Sequence, residues 1–171
     1  MSDKQFFKHV QKLAREVQDT LQQEELRVDY ICPILRSGAV PATYIANTLN
    51  IVKMAPIQIK IIEGKKDPQI LLDSLGLIKT SRKNLVFLLV DATYGSGSTA
   101  KAATDLIKQH FPNATIIFAC IACRKTSPRP NNIDTLLYSL SLKDNELPLY
   151  PWEIMENEKN HPDDLPENIF Y

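Results

Sequence analysis

Leu85-Val86-Phe87-Leu88-Leu89-Val90-Asp91-Ala92-Thr93-Tyr94-Gly95-Ser96-Gly97-Ser98-Thr99 is the stretch on which the reading of this chain turns. An unbroken apolar run closed by an acid predicts a strand over 84–91, buried on both faces. Small polar residues predict a turn over 92–97, and the periodicity that follows predicts a helix over 98–110. A helix start presents N–H groups without internal partners and a partial positive charge. Glycines let backbone amides come close to an anion, and hydroxyls add donors, so Thr93, Gly95, Ser96, Gly97, Ser98 and Thr99 form a candidate phosphate cradle. Two other readings stand beside it. Ser96 or Ser98 can simply cap the helix. Gly95-x-Gly97-x-x-Ala100 also fits a dinucleotide-binding fingerprint. Against the latter, the loop does not turn at once after Val90, and the next strand ends in Cys123-Arg124-Lys125, without a ribose-binding acid.

Outward from this stretch, strand and helix patterns alternate. Phe6, Val10, Leu13, Ala14, Val17 and Leu21 follow helical spacing over 6–25. A short buried strand is expected over 29–34 and a helix over 38–49. Alternating Ile57, Ile59 and Ile61 predict a strand over 53–62. Further strands are expected over 115–123 and 134–141. Residues 60–80, with Lys65 and Lys66, read either as a solvated loop or as a lid that closes over a site. Residues 148–171, rich in proline and acids, are expected to lie extended on the domain. Apolar strands alternating with helices imply one α/β domain over 1–171, a central parallel sheet with helices on both faces. Ligands of such sheets bind at the carboxyl ends of the strands.

Composition narrows the function classes. The chain has 171 residues, and its 20 Lys and Arg balance 20 Asp and Glu. Zero net charge argues against a general nucleic-acid binder or a membrane-surface protein. No apolar run approaches the roughly 18 residues needed to span a bilayer, and the N-terminus has no signal-peptide core, so the expected compartment is the cytoplasm. The three cysteines do not suggest a disulfide framework. Cys120 and Cys123 spell C-x-x-C within an apolar run; their spacing in a strand predicts opposite faces and core packing rather than a metal pair. His9, His110 and His161 are isolated and read as surface residues, and Asp163-Asp164 as a solvated turn.

A second strand–turn–helix, Ile34-Leu35-Arg36-Ser37-Gly38-Ala39-Val40-Pro41, can offer a guanidinium and backbone amides to a diphosphate. Together with Val90–Thr99 and with Tyr150-Pro151-Trp152-Glu153, it resembles the type I phosphoribosyltransferases, most of all their short xanthine/guanine branch of purine salvage. The likeness covers roughly residues 28–153. It implies a small hood made from the chain ends, phosphoribosyl diphosphate and a nucleobase as substrates, magnesium as cofactor and a homodimer. By the same likeness Arg36, Ser37 and Gly38 would hold the diphosphate. Asp91 and Arg36 would be the catalytic pair, and Asp91 would face the ribose and the metal. Trp152 would stack on the base, unless it anchors the tail, and Lys125 would reach the base.

The pattern is broken in three places. Ala92 stands where a second acid follows the strand, Gly95 stands where the phosphate loop opens with an Asp, and Cys120 takes the place of a base-reading lysine. Ribosyl transfer needs the leaving diphosphate neutralised and the base correctly protonated. Two readings follow: an active transferase with altered base choice, which is preferred, and a non-catalytic relative that binds a nucleotide or sugar phosphate.

Overall fold

The computed structural model of the protein describes residues 1–62, 67–144 and 146–153. The first helix, α1 (Asp3–Gln23), starts at a capping box in which Ser2 and Gln5 satisfy each other's backbone N–H groups. It is followed by β1 (Tyr30–Leu35), α2 (Ala39–Thr48), β2 (Ile57–Lys60) and β3 (Gln69–Asp73). Then come β4 (Val86–Tyr94), α3 (Ser98–His110), β5 (Thr115–Arg124) and β6 (Thr135–Leu142). Short 3₁₀ turns occupy Leu75–Leu77 and Pro151–Glu153.

The six strands form one sheet in the order β3-β2-β1-β4-β5-β6, parallel throughout except for the antiparallel β2–β3 pair. Alternation along each strand divides the core in two. Phe87, Leu89, Ile116 and Phe118 point toward Ala103, Leu106 and Ile107 of α3. Leu88, Val90, Ile117 and Ala119 point toward Val10, Leu13 and Val17 of α1 and Ile45 of α2. Both faces are therefore covered, which is why β4 and β5 are apolar at nearly every position.

The differences from expectation lie at element ends. Residue 54 forms only an isolated bridge to Ile31, so β2 is confined to Ile57–Lys60. The ambiguous segment before residue 84 contains an edge strand, β3, whose exposed Ile70, Leu71 and Leu72 show no alternation to reveal it. Within residues 60–80, read as a solvated loop or a lid, 69–73 and 75–77 are thus regular structure; Lys65 and Lys66 lie outside the described residues. Strand β4 runs on to Tyr94, leaving a turn of 95–97 in place of 92–97. Of the C-terminal tail, residues 148–153 are described and end in a 3₁₀ turn rather than an extended run; His161 and Asp163-Asp164 lie outside the described residues.

Cys120 and Cys123 do not take opposite faces. Both pack in the cluster on the α3 side, and the two thiols are hydrogen-bonded. The alternation fails because Cys123 is the register partner of Tyr94, and at that end of the sheet Tyr94 also turns onto the α3 side. His9 bonds Ser139 at 2.9 Å, and His110 bonds Asp73 at 2.6 Å. Among the described residues no helix is long and apolar enough to cross a membrane.

Candidate functional site

The carboxyl ends of β1 and β4 lie side by side, with Pro33 opposite Val90 in parallel register. The turn after β1 therefore lies against Val90 and Asp91 of β4, on the strand that leads into the 95–97 turn. The turn after β1 folds tightly: Gly38 donates its N–H to the Ile34 carbonyl at 2.9 Å. A Cβ on Gly38 would stand 2.3 Å from the Val90 carbonyl oxygen and 2.6 Å from that of Ile34, so only glycine fits. Arg36 is exposed on this turn, and its peptide bond with Leu35 is cis. Ser37 donates its hydroxyl to Asp91 Oδ1 at 2.9 Å, which ties the turn to β4.

Asp91 is buried, and the same Oδ1 also accepts the Ala92 N–H at 2.7 Å. Burial pushes its carboxyl up to about 7, against the pull of those two donors, and the charge of Glu153 adds to the rise. A carboxyl held near neutrality can change charge when a ligand arrives.

Beyond Asp91, the wall of a cavity of about 240 Å³ is formed by Thr93, Tyr94, Gly95, Ser96, Gly97 and Thr99, together with Ile61, Ala100 and Phe118. Gly97 is the residue before α3 and has φ of 83°, the left-handed region that glycine favours. A Cβ there would come 2.7 Å from the Pro128 carbonyl oxygen and 3.0 Å from the Tyr94 hydroxyl. Gly97 supplies no side-chain cap, and the Ser98 amide reaches Ser96 Oγ only at 3.4 Å. The Ser96 and Ser98 hydroxyls are 2.9 Å apart beside the first turn of α3, whose N–H groups have no carbonyl partners within the helix. Ser96 thus makes a long capping contact, at a helix start of the kind that can also receive an anion.

The remaining expected residues are placed elsewhere. Thr93 lines the cavity, but its hydroxyl is 2.8 Å from the Tyr150 hydroxyl. Trp152 stacks on Tyr150 at 4.9 Å and 5° and meets Phe6 edge-on at 4.9 Å, which fastens the C-terminal segment to α1. Lys125 is exposed, with its ammonium 5.8 Å above the Tyr138 ring of β6.

Tyr94, Ile61 and Phe118 in the cavity wall, and Tyr150 behind it, have no reading as site residues in the sequence. The Tyr150 hydroxyl donates to the Ala92 carbonyl at 2.7 Å, and its ring is buried in the α1-side cluster together with Ala92. That contact is signalled only by the Tyr150–Glu153 element as a whole. Among the described residues there is no cluster of three His, Cys, Asp or Glu side chains able to hold a metal ion.

A family model described as a phosphoribosyl transferase domain matches residues 2–146. No curated protein sequence matches the chain. Among solved structures, the fold is similar to a purine phosphoribosyltransferase from Pyrococcus horikoshii, with 20% identity, 88% of this chain and 95% of that one covered, and a TM-score of 0.63. It is also similar to the xanthine-guanine-hypoxanthine phosphoribosyltransferase of Helicobacter pylori, with 17% identity, coverage of 94% and 97%, and a TM-score of 0.67. A Neisseria gonorrhoeae protein solved with bound ppGpp shares the fold at 15% identity, coverage of 92% and 90%, and a TM-score of 0.73.

Proposed function

This chain belongs to the phosphoribosyl transferase domain family, and from that premise we propose that it transfers the 5-phosphoribosyl group of phosphoribosyl diphosphate to a nitrogenous base, a purine. The observation that carries the proposal is the convergence at one cavity of the start of α3, the Gly97 turn and the buried Asp91. The 5-phosphate sits on the amides and hydroxyls of 95–99. Asp91 faces the ribose. Arg36 and the amides of the tight turn at Ser37 and Gly38 hold the diphosphate and neutralise its charge as it leaves. The Asp91 carboxylate and a diphosphate are both oxygen donors, and magnesium takes few protein ligands and many phosphate and water oxygens. One carboxylate therefore suits a magnesium ion that arrives with the diphosphate, and the ion would supply charge neutralisation. Trp152, held by Tyr150 and Phe6, serves this reading as the anchor of the hood, with the base lying against the open rim near Lys125. The same reading carries a homodimer, which sedimentation would report.

The test is base consumption with phosphoribosyl diphosphate and magnesium across purines, pyrimidines and orotate. Turnover of one base class supports the reading, and no turnover with any base refutes it.

A second reading, a non-catalytic nucleotide or sugar-phosphate binder, is favoured by one observation. Ala92 is buried against Tyr150 and Gly95 has no side chain, so among the described residues Asp91 is the one acid in the cavity wall. The ppGpp-bound Neisseria neighbour is a structure of this fold with a guanine nucleotide. This reading expects thermal stabilisation by nucleotides without turnover, and a melting point indifferent to every phosphate ligand refutes it.

A further inference from the structure

The hydroxyl of Tyr150 has one proton and two possible partners. Ala92 offers a backbone carbonyl oxygen 2.7 Å away, which can only accept. The phenol proton is therefore committed to Ala92. Thr93 Oγ1, 2.8 Å from the same phenol oxygen, faces a lone pair there and must be the donor of that second bond. A threonine hydroxyl also has one proton, so nothing remains for it to donate into the cavity that it lines.

The arrangement is held firmly. Tyr150 is 2% exposed, its ring is stacked on Trp152, and Trp152 is braced by Phe6 of α1. Burial pushes the phenol above its ordinary range, so it keeps its proton.

We infer that Tyr150 is a positioning residue that turns Thr93 into a hydrogen-bond acceptor toward the cavity, where Thr93 takes a donor of the bound sugar phosphate and not one of its phosphate oxygens. The donor is an O–H of the pentose or an N–H of the base; the chemistry required of it is the same. The inference rests on the reading of the cavity as a sugar-phosphate site and revises the place of Thr93 within it. Asp91 and Thr93 both line the cavity from β4, so the strand presents acceptors while the helix start and its serines present donors. A ligand with phosphate at one end and O–H or N–H groups beside it matches that division.

Calorimetric titration of the full chain tests it with two ligand pairs that each differ by one donor. These are ribose 5-phosphate against 2-deoxyribose 5-phosphate, and adenosine 5′-monophosphate against purine riboside 5′-monophosphate, with inorganic phosphate as reference. The wild type should prefer the donor-bearing member of at least one pair by about tenfold, the worth of one hydrogen bond. Thr93→Val should bring that ratio near unity and Thr93→Ser should keep it. Tyr150→Phe, which frees the Thr93 proton to rotate, should lower the ratio while inorganic phosphate binds as before. Unchanged ratios in Thr93→Val, or a loss of inorganic phosphate affinity in that variant, would overturn the inference and leave the sugar-phosphate reading standing. If Tyr150→Phe does not fold, the two Thr93 variants decide. A wild type that binds none of these ligands removes the sugar-phosphate reading, and this inference with it.

Discussion

Asp91→Asn should make the protein more stable at pH 8 and leave it nearly unchanged at pH 5. In the fold, burial lifts the Asp91 carboxyl from an ordinary 3.8 to about 7. In the unfolded chain the group ionises near its ordinary value. The wild type therefore loses stability as pH rises from about 4 to about 7, and the loss is complete above that window. A rise of about 3 pH units at about 1.36 kcal/mol each gives about 4 kcal/mol at pH 8 and about 1.5 kcal/mol at pH 5. Asparagine keeps a carbonyl oxygen for the Ser37 hydroxyl and the Ala92 N–H. Its amide hydrogens are desolvated in exchange, which costs about 1–2 kcal/mol. The net gain is about 2–3 kcal/mol at pH 8, or about 5–10 °C in Tm for a domain of this size, and about zero at pH 5. Thermal unfolding of both proteins at the two pH values measures it. A variant no more stable than wild type at pH 8, or a gain that persists at pH 5, refutes the account of Asp91 as a carboxyl held neutral by burial. The same variant should bind sugar phosphates more weakly, the usual exchange of stability for function.

A ligand that needs Asp91 ionised should bind about tenfold more weakly for each pH unit below about 7, because the proton must first be removed; titration between pH 5.5 and 8 follows this, and a flat profile contradicts it. Gly97→Ala forces a side chain into left-handed backbone against the Pro128 carbonyl, so it should cost about 1–3 kcal/mol and weaken inorganic phosphate binding, both measurable on the purified variant. Gly38→Ala should be worse, since its Cβ meets rigid backbone of β1 and β4; a soluble variant with wild-type Tm would show that the turn can shift. Ala92→Asp buries a carboxyl beside Tyr150 in an apolar cluster, so the expected outcome is a loss of several kcal/mol in chemical denaturation and no gain in turnover.

Those parts of the fold that rest on periodicity are legible in the amino-acid sequence. Helix α3 begins and ends where its pattern predicts, and the strands β1, β4, β5 and β6 differ only by a few residues at their ends. Strand β3 is not legible, because an edge strand with Ile70, Leu71 and Leu72 all exposed has no buried face to impose alternation. The turn at 95–97 is legible from its glycines. What the residues at its edge do is not. Ser37 reads as a donor for a diphosphate, and its proton goes to Asp91; Thr93 reads as part of the phosphate cradle, and its hydroxyl meets Tyr150. In each case the partner is more than fifty positions away in the chain, and no local pattern encodes which way a hydroxyl proton points.

The geometry of Asp91 also separates the two functional readings by charge alone. Ser37 holds Asp91 down with one of its two hydrogen bonds, and Ser37 is also the middle of the turn that would receive a diphosphate. An anion drawn to that turn would compete for the Ser37 hydroxyl and bring negative charge beside a carboxyl already pushed up by burial. Both changes favour the protonated acid, which accepts from a ribose hydroxyl more weakly than the carboxylate does. A cation bound between diphosphate and carboxylate reverses the balance. A transferase working through both turns therefore requires a divalent ion for tight binding of phosphoribosyl diphosphate. A binder that uses only the 95–99 cradle does not, and its affinity for a nucleoside monophosphate should be the same in magnesium and in chelator.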